Sequence, residues 1–413
     1  MKKVLFVVNY FYPDYASTGQ LMTELCLDLQ KDFNITVIAA QPGYAGEDNT
    51  TSKIFEVDYI DGVKIIRLKL PRLNKTSKFS RLKYILTYFF LSLLATLIEK
   101  DVRLIYTISQ PPVLGGLIGT LGKWLKRTKH IYNIQDFNPE QAAAISYTSN
   151  QSIFKLAKKI DKLNCSYADK VIVVGNDMSE TLKKRFGNKN VPDHVVINNW
   201  TNEDEILPLD KSESNIQQFL EYNNLENKFI IMYSGNIGLY YDLENIIKVT
   251  ETFRGNKDIV FLFIGEGAVK SKMESFVKVQ GINNVHFLPY QPKDFIKYSL
   301  NAADVHLVVN QKGIKGVSVP SKIYGVMAAG KPILGVLEQG SEAQMLIDNS
   351  DSGVVVEPQD YKGIIKAIQY LYNMDKGELK SKGMNGRNYL DENLKREISI
   401  NKYRELLYEV TKS

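Results

Sequence analysis

The stretch VSVPSKIYGVMAAGKP, residues 317–332, places a hydroxyl and a long cation at the start of a short apolar helix. A proline near the first turn and Gly330 with Pro332 at the end are typical start and stop signals. Ser321 and Lys322 therefore stand beside backbone N–H groups that the helix itself does not use. Two interpretations are open. Either Lys322 buries its stem and keeps its ammonium in water, or the N–H groups, the helix dipole and the lysine bind a phosphate together.

Further candidate residues follow apolar stretches of the second half that we predict to be parallel strands. Each turn by itself is an ordinary connection between a strand and a helix. Several such turns at one edge of a sheet predict a nucleotide pocket, with phosphates at the helix starts and a carboxylate for the sugar hydroxyls. The residues in these turns are Gly235 and Asn236, Gly265 and Gly267, Tyr290, Lys312 and Lys315, and Gly340, Ser341 and Glu342.

The elements that must position these residues alternate between strand and helix along the whole chain. Apolar strands without polar alternation indicate a parallel sheet that is covered on both faces. The alternation restarts after a polar stretch, residues 198–228, in which we predict no strand. We therefore predict two doubly wound, Rossmann-like α/β domains, 1–199 and 200–394, which face each other across a deep cleft. A final amphipathic helix, 395–413, is expected to pack back on the first domain.

Composition narrows the classes of function. The net charge of +6 is mildly basic, which suits a phosphorylated substrate or an anionic membrane surface but is too weak to indicate nucleic acid. The two cysteines, Cys26 and Cys165, lie far apart, and His occurs only four times. Neither a disulfide framework nor a metal site is expected, and a reducing, cytoplasmic compartment fits.

One segment bears on the membrane. Residues Ile85 to Ile98 are almost wholly apolar, yet this run is shorter than the roughly 20 residues that span a bilayer. The favoured interpretation is a buried helix of the first domain. The alternative is a helix that lies on a membrane surface, with Arg81 and Lys83 near the lipid headgroups.

These motifs resemble those of a known family. The pieces YSGNIG, FLFIGEG, NVHFLPYQPKDFIKYSLNAADVHLV, VPSKIYGVMAAGKPIL and GSEAQMLIDNSDSGVVVEP match, in order, the nucleotide-sugar domain of retaining GT-B glycosyltransferases of family 4. In the first half, NYFYPDYASTGQLMTELCLDL, which contains Gly19, resembles the opening loop and helix of that family. NIQDFNPEQA, which contains Asp136, resembles the QD–PE stretch of its polysaccharide-cluster members. VINNW resembles the end of the N-terminal domain.

The resemblance implies a reaction: transfer of a sugar from a nucleoside diphosphate with retention at the anomeric carbon. In this family the departing diphosphate draws the proton from the attacking hydroxyl, and neither a metal nor another cofactor is required. Lys322 would stabilise the charge that develops on the diphosphate. Asp136 would face the donor sugar or the acceptor, and Gly19 would let the acceptor or a phosphate approach. Asp136 could instead cap the next turn.

The chain departs from the family pattern at three places. Val317 and Gly325 stand where the family carries two glutamates. Glu342 is our candidate to replace the glutamate that holds the ribose, and Lys312 or Lys315 to occupy the neighbourhood of the other. The Arg/Lys pair that usually follows the SGN strand is absent from GLYYDLEN, which leaves more of the phosphate binding to Lys322.

The resemblance implies a hexosyl- or N-acetylhexosaminyltransferase that builds a bacterial surface polysaccharide such as O-antigen or capsule. A UDP donor is preferred, and an N-acetylated amino sugar is expected because the QD–PE and VPSK forms resemble N-acetyl-L-fucosamine transferases. The acceptor is expected to be lipid-linked, with the enzyme peripheral on the inner face of the cytoplasmic membrane. Two alternatives remain open: a sugar-nucleotide-binding protein without catalysis, motivated by the missing glutamates, and a nucleotide-sugar epimerase of the two-domain GT-B type.

Overall fold

The chain divides into two compact units. Unit 1 comprises Met1–Asn198 together with Ser399–Ser413, and unit 2 comprises Asn199–Ile398. The sequence placed this division one residue later, between 199 and 200. The computed structural model describes residues 1–14, 17–42, 53–73, 77–144 and 151–412.

A sheet of eight strands forms the centre of unit 1 within the described residues. The strands are β1 (Lys3–Val7), β2 (Asn34–Ala40), β3 (Phe55–Ile60), β4 (Val63–Leu68), β5 (Val102–Ile108), β6 (Lys129–Ile134), β7 (Lys170–Val173) and β8 (His194–Val196). Their order is β3-β4-β2-β1-β5-β6-β7-β8. All neighbours pair in parallel except β3, which is antiparallel to β4. The predicted parallel sheet is confirmed, but β3 was not among the predicted strands because its exposed residues carry no core pattern.

Helices cover both faces of this sheet. They are α1 (Ser17–Leu29), α2 (Lys78–Ile98), α3 (Leu114–Lys126), α4 (Asn138–Ala144), α5 (Gln151–Tyr167) and α6 (Asn176–Arg185). Buried apolar side chains of the strands and of α2 and α3 form one core, which includes Leu5, Ile38, Tyr88 and Ile118. Cys26 and Cys165 are both buried free thiols.

Unit 2 has a second parallel sheet, in the order β11-β10-β9-β12-β13-β14. Its strands are β9 (Phe229–Ser234), β10 (Ile259–Ile264), β11 (Val285–Leu288), β12 (Val305–Val309), β13 (Ile333–Val336) and β14 (Gly353–Val356). Its helices are α7 (Ser214–Tyr222), α8 (Leu243–Ile246), α9 (Lys270–Gln280), α10 (Ile296–Asn301), α11 (Lys322–Ala328), α12 (Glu342–Ser350), α13 (Tyr361–Asn373) and α14 (Lys376–Asn393). The stretch predicted to lack strands contains α7, which Glu213 caps by accepting from two backbone N–H groups.

The last helix, α15 (Arg396–Lys412), starts in unit 2 and ends in unit 1. Within unit 1, the Tyr403 hydroxyl lies 3.0 Å from Nδ2 of Asn133 in β6. Arg404 forms ion pairs with Asp28 and Asp32 at the end of α1. The part of α15 from Ser399 onwards therefore packs on the first unit, as the sequence predicted for this helix.

Helix α2 is longer and more exposed than the favoured prediction of a short, buried helix. It begins at Lys78, where the Ser77 side chain caps it, and it has 21 residues. By length and composition alone it is a helix that could cross a membrane. One face packs into the core through Tyr88 and Phe89, while the other face is exposed, with Phe79 and Phe90 at 77% and 62% exposure. The favoured prediction of a buried helix is therefore wrong, and so is the expected shortness of the segment.

Candidate functional site

The glycine turns after β9 and β10 interlock at the carboxyl edge of the unit 2 sheet. The Gly235 N–H donates to the Ile264 carbonyl at 2.9 Å, and a Cβ on Gly265 would lie 1.9 Å from the Gly235 oxygen. Both glycines have φ in the region that other residues rarely adopt, +137° and +142°. Since no side chain fits between the two turns, bare backbone lies at this edge of the sheet.

Asn236, Gly267 and Tyr290 belong to the same group. A Cβ on Gly267 would lie 2.8 Å from Oδ1 of Asn236, and a Cβ on Gly265 would lie 3.5 Å from the Tyr290 ring. The Tyr290 hydroxyl donates to the Glu266 carbonyl at 3.4 Å, and the ring is about half exposed. The structure thus brings together the predicted residues that follow β9, β10 and β11.

Lys322 joins the residues that follow β9, β10 and β11, and we call this set of residues the first group. It is the first residue of α11, but its side chain reaches to the turn after β9, where its Cε would lie 3.3 Å from a Cβ on Gly235. Its Nζ donates to the Tyr233 hydroxyl at 2.9 Å. The same nitrogen lies 4.4 Å from the centre of the Tyr233 ring and 4.0 Å from that of Tyr241.

The electrostatics of Lys322 follow from this setting. Burial lowers the pKa of its ammonium to about 7. Among the described residues, no carboxylate forms an ion pair with it, and burial is the cause of the shift. A buried ammonium held by two aromatic faces attracts an anion more strongly than one that already has a carboxylate partner.

The predicted residues after β12 and β13 form a second group. The Glu338 carboxylate accepts from the N–H groups of Gly313 and Lys315, both at 2.9 Å. The Lys315 ammonium donates to the Gln339 carbonyl, and a Cβ on Gly340 would lie 2.7 Å from it. The Lys315 ammonium therefore lies beside the Gly340 turn.

The remaining members of that group differ in exposure. Ser341 and Glu342, at the start of α12, are buried, with 6% and 3% exposure. Lys312 is exposed. Glu342 is thus an acidic side chain in the first turn of a helix, which the helix dipole favours.

The helix that opened the sequence analysis is shorter than its pattern indicated. It has seven residues, and Ser321 at its N-cap is exposed and makes no capping hydrogen bond through its side chain. At the two positions of the family glutamates, Val317 is buried, and a Cβ on Gly325 would touch Leu300 at 3.8 Å. The Lys322 side chain thus carries its charge from the start of α11 to the turn after β9.

In unit 1, Asp136 lies in the turn after β6. The Ser109 hydroxyl accepts from the N–H groups of Gln135 and Asp136 at 3.1 and 3.2 Å. The Gln141 amide donates to Oδ1 of Asp136 at 3.4 Å. Asp136 is half-buried. Ser109 holds its backbone and Gln141 holds its carboxylate at the carboxyl edge of the sheet.

Gly19 lies at the same edge, in the first turn of α1. A Cβ there would stand 3.1 Å from Cβ of Tyr10 and 3.2 Å from its carbonyl carbon. Thr23 ties the helix to the loop, since its hydroxyl donates to the Gly19 carbonyl at 2.8 Å and accepts from the Tyr12 N–H at 3.0 Å. In the structure, the glycine allows close contact between the helix and the loop that follows β1.

A buried ion cluster next to Asp136 was not predicted. Arg185, at the end of α6, forms ion pairs with Glu140 of the QD–PE stretch and with Asp161 of α5. The Asp161 pair measures 2.6 Å, the side chains of Arg185 and Asp161 are 2% and 3% exposed, and Tyr132 donates to Asp161 at 2.7 Å. The cluster anchors α4, which directly follows Asp136. Its members come from separate helices, and no sequence pattern links them.

Tyr233 and Tyr241 were also missed as site residues. Tyr233 is a fully buried residue near the end of β9, and it carries the strand pattern of a core side chain. Tyr241 was noticed only as a departure from the family, in GLYYDLEN. That departure was the sequence signal that could have identified Tyr241 as a site residue, because an aromatic residue stands in the segment where a second cation was expected.

No group of three or more His, Cys, Asp or Glu side chains suited to a metal ion occurs within the described ranges. The groups that meet at the ends of β9 and β10 are glycine backbone, two aromatic rings and the Lys322 ammonium. The Lys270 ammonium also lies there, 3.0 Å from the Gly265 carbonyl and paired with Glu266. The ammonium groups suit an anionic ligand.

Solved structures define the class of fold. The chain is similar to sucrose-phosphate synthase from Thermosynechococcus elongatus, with a TM-score of 0.77 and 14% identity, over 99% of both chains. It is also similar to the Anabaena protein HepE, solved in complex with UDP-glucose, with a TM-score of 0.71 and 13% identity, over 99% of this chain and 100% of that one. The two Rossmann-like units therefore form the GT-B fold of glycosyltransferases.

The sequence matches narrow the class further. Residues 214–389, which lie in unit 2, match the family described as Glycosyl transferases group 1. The whole chain is 28% identical to a probable glycosyltransferase, WbjE, of Pseudomonas aeruginosa, over 98% of this chain and 97% of that protein. It is 25% identical to a putative colanic acid biosynthesis glycosyl transferase, WcaI, of Escherichia coli strain K12, over 59% of this chain and 60% of that protein.

Proposed function

We propose that the protein is a retaining glycosyltransferase that moves a sugar from UDP to a lipid-linked saccharide during the synthesis of a bacterial surface polysaccharide. The sugar that we expect is an N-acetylated amino sugar. The proposed reaction needs no metal, because the departing diphosphate stays bound and accepts the proton of the attacking hydroxyl.

The observation that carries this proposal is the group formed by the glycine turns and Lys322. Bare backbone at the ends of β9 and β10 allows a ligand to approach closely, and a cation without a carboxylate partner stands beside it. In open parallel sheets, ligands bind at this edge. A diphosphate placed there would meet Lys322 as its charge develops, which is electrostatic stabilisation of the transition state.

The comparisons with known proteins support the general parts of the proposal, glycosyl transfer and polysaccharide synthesis. The group 1 domain and the names of both relatives favour glycosyl transfer, and the name of WcaI favours polysaccharide synthesis. UDP-glucose in HepE is consistent with a UDP donor. For an acceptor-side residue, Asp136 at the carboxyl edge of the unit 1 sheet is our candidate.

The test begins with binding. We expect UDP and a UDP-N-acetylhexosamine to raise the melting temperature of the protein more than GDP or dTDP do, because a ligand that binds only the folded state stabilises it. The bound donor should then support transfer to a lipid-linked acceptor with retention at the anomeric carbon. Transfer should continue in EDTA, as a metal-independent mechanism requires.

The alternatives give different results in the same experiment. Donor binding without turnover on any lipid-linked acceptor would indicate a binding protein, and isomerised donor without transfer would indicate an epimerase. Loss of all activity in EDTA with recovery in Mn²⁺ would contradict the metal-independent mechanism.

We further propose that unit 1 docks on an anionic membrane surface through the exposed face of α2. This face carries the apolar side chains Leu82, Leu86 and Phe90, flanked by the exposed cations Lys78 and Lys83. Apolar side chains that enter the headgroup region and cations that meet anionic lipid are the two components of interfacial binding. Because the opposite face of α2 belongs to the core, we expect the helix to lie on the membrane and not to cross it.

The position of α2 suits a lipid-linked acceptor. The Tyr84 hydroxyl, in its second turn, lies 3.5 Å from Oδ1 of Asn9, which follows β1. The first turns of α2 are thus at the carboxyl edge of the unit 1 sheet, where Gly19 and Asp136 also lie. A membrane beneath α2 would bring the headgroup of the acceptor close to that edge.

The Leu86→Ser/Phe90→Ser double variant is expected to lose most of its binding to vesicles that contain phosphatidylglycerol, since it removes apolar area from the docking face. Co-sedimentation with anionic and with neutral vesicles measures the effect. The Tyr222→Ser/Val279→Ser variant is a matched control, because both side chains are highly exposed on unit 2. If the wild type stays in the supernatant with anionic vesicles, the membrane proposal is wrong.

A further inference from the structure

Two tyrosines enclose the ammonium of Lys322. Tyr233, near the end of β9, offers its ring at 4.4 Å and its hydroxyl at 2.9 Å. Tyr241, in the one-turn 3-10 helix Leu239–Tyr241, offers its ring at 4.0 Å. The Tyr233 hydroxyl in turn donates to the Asn236 carbonyl at 2.6 Å, so its lone pairs face the lysine. We call these two side chains the aromatic cage.

Proteins usually balance a buried lysine with a carboxylate. The cage provides the faces of two rings instead, which attract a cation through their quadrupoles without carrying a charge. Within the described part of the chain, Lys322 has no ion pair with an acidic side chain. The positive charge at the Gly235 turn is therefore stabilised but not neutralised.

We propose that Tyr233 and Tyr241 are positioning residues that hold the Lys322 ammonium at the Gly235 turn in place of an acidic counter-ion, ready for a nucleoside diphosphate. This inference rests on the proposed function, and it assigns roles to two residues of the site. A carboxylate in that place would compete with the diphosphate for the same cation. The aromatic faces do not, so the diphosphate gains the whole of the charge.

A consequence for pH follows from the burial of the ammonium. In the free protein the pKa of Lys322 is lowered to about 7, so the ammonium loses its proton as the pH rises above that value. A bound diphosphate favours the charged form and raises this pKa. Binding above pH 7 therefore requires uptake of a proton, and the affinity for the diphosphate must fall as the pH rises.

Among the described residues, the titratable groups in contact with the ammonium are Tyr233 from β9 and Tyr241 from the 3-10 helix. The charged groups at the neighbouring Gly265 turn are Lys270 and Glu266, which pair with each other at 2.6 Å. Burial and the neighbouring Tyr241 and Tyr290 raise the pKa of Tyr233 well above its usual value. The terminal phosphate of UDP ionises near pH 6, so it is fully charged above pH 7.

The experiment is calorimetric titration with UDP between pH 5.5 and pH 8.5, a range that includes the midpoints expected for the wild type and for the variant. For the wild type, the dissociation constant should rise about tenfold from pH 7 to pH 8.5, with proton uptake visible in buffers of different ionisation enthalpy. In Tyr241→Leu, apolar cover remains but the aromatic face is lost, so the midpoint of the pH dependence should move to lower pH. Affinity at pH 8 should fall about fivefold, as expected for the loss of a cation–π contact.

Tyr241→Phe is the matched comparison, because it keeps the aromatic face and should therefore keep the midpoint of the pH dependence near that of the wild type. A second measurement needs no substitution in the cage. In protein labelled at the lysine ε-carbons, the Lys322 resonance, assigned with Lys322→Met, should titrate near pH 7 without ligand. With saturating UDP it should titrate above about pH 9.

Three results would overturn the inference: an affinity of the wild type that does not change with pH, a Tyr241→Leu variant weakened equally at every pH, or a Lys322 resonance that titrates at the usual value for lysine. The equal weakening would indicate that Tyr241 has only a structural role. Failure of UDP to bind at any pH would be a different result, since it would refute the proposed UDP donor and the inference together.

Discussion

Lys322→Met is expected to lower the rate of sugar transfer by about 100-fold or more while the protein stays folded. The Lys322 ammonium lies at the Gly235 turn and has no acidic partner among the described residues. Removal of one such electrostatic contact typically costs about 100- to 1,000-fold in rate. Methionine keeps most of the volume of the lysine stem, so packing against Tyr233 and Tyr241 is preserved. Steady-state kinetics, with the donor that the melting-temperature comparison selects, measures the change in rate.

Lys322→Met is not expected to lower the stability of the protein at pH 7, although it lowers the rate of transfer. The pKa of Lys322 is near 7 in the folded protein and near 10.5 in an unfolded chain. Between these values the unfolded chain holds a proton that the folded protein has lost, so the wild type gains stability as the pH rises. The methionine variant lacks this dependence. It should therefore be at least as stable as the wild type at pH 7, with the difference narrowing towards pH 10.

Lys331→Met is the control for this prediction. Burial, and then repulsion from Lys211, lowers the pKa of Lys331 to about 8. It follows the other end of the same helix, near Asp304 at the start of β12, and takes no part in the glycine turns. This variant should change stability in the same sense and leave the rate unchanged. Equal kinetics for wild type and Lys322→Met would remove Lys322 from the mechanism.

Arg185→Met is expected to destabilise the protein by about 3–5 kcal/mol, because it leaves the buried Asp161 carboxylate without its cation and leaves Glu140 with only Lys158. Burial opposes the charge of Glu140, but hydrogen bonding and attraction by Arg185 outweigh it and lower the pKa of this carboxyl. The guanidinium also stacks on Phe137, 4.2 Å from the ring centre. Urea unfolding at pH 7 measures the loss.

Arg185→Met should also change how the free energy of unfolding depends on pH. In the wild type, Glu140 stays ionised below pH 4.5, where the same group in an unfolded chain takes a proton, so acid lowers the stability. Without Arg185, the hydrogen bond and the attraction that lower the pKa of Glu140 are lost, and burial favours the protonated form of this carboxyl. Acidification from pH 7 towards pH 5 should therefore stabilise the variant relative to the wild type.

Lys183→Met on the same helix is a suitable comparison. Lys183 pairs with Glu180 at the surface, with both side chains well exposed, and such pairs contribute about 0–1 kcal/mol. Since α4 follows Asp136 directly, Arg185→Met should also impair transfer beyond its effect on the folded fraction. A loss of stability no larger than that of Lys183→Met would show that the cluster does not anchor α4.

The sequence alone determined the architecture of both units. Continuous apolar strands such as IVFLFI have no polar face, so they belong in a parallel sheet with helices on both sides. Because parallel strands all point the same way, the residues that follow them must share an edge, and the glycines after β9 and β10 do so. Local pattern also placed the last helix at the end of the chain.

Segments whose residues lack a core pattern were less predictable. Strand β3 alternates apolar and charged residues, which is compatible with a strand, but its side chains are exposed or only partly buried and it lacks the continuous apolar run by which the other strands were predicted. Helix α2 is apolar on both faces, and a run of apolar residues does not indicate which of its faces the protein covers. Only the packing of Tyr88 and Phe89 into the core, with Phe79 and Phe90 left outside, distinguished the two faces.

The environment of Lys322 was decided by tertiary structure. The sequence placed this lysine at a helix start and predicted contact with a phosphate, but Tyr233 lies 89 residues before it and its pattern is that of a core strand. A lysine stem is long and flexible, so its charge settles where the fold provides a favourable environment. Parallel pairing of β9 with β12 places α11 beside the turn after β9. That long-range contact, which no local pattern encodes, gives the ammonium two aromatic faces in place of an acid.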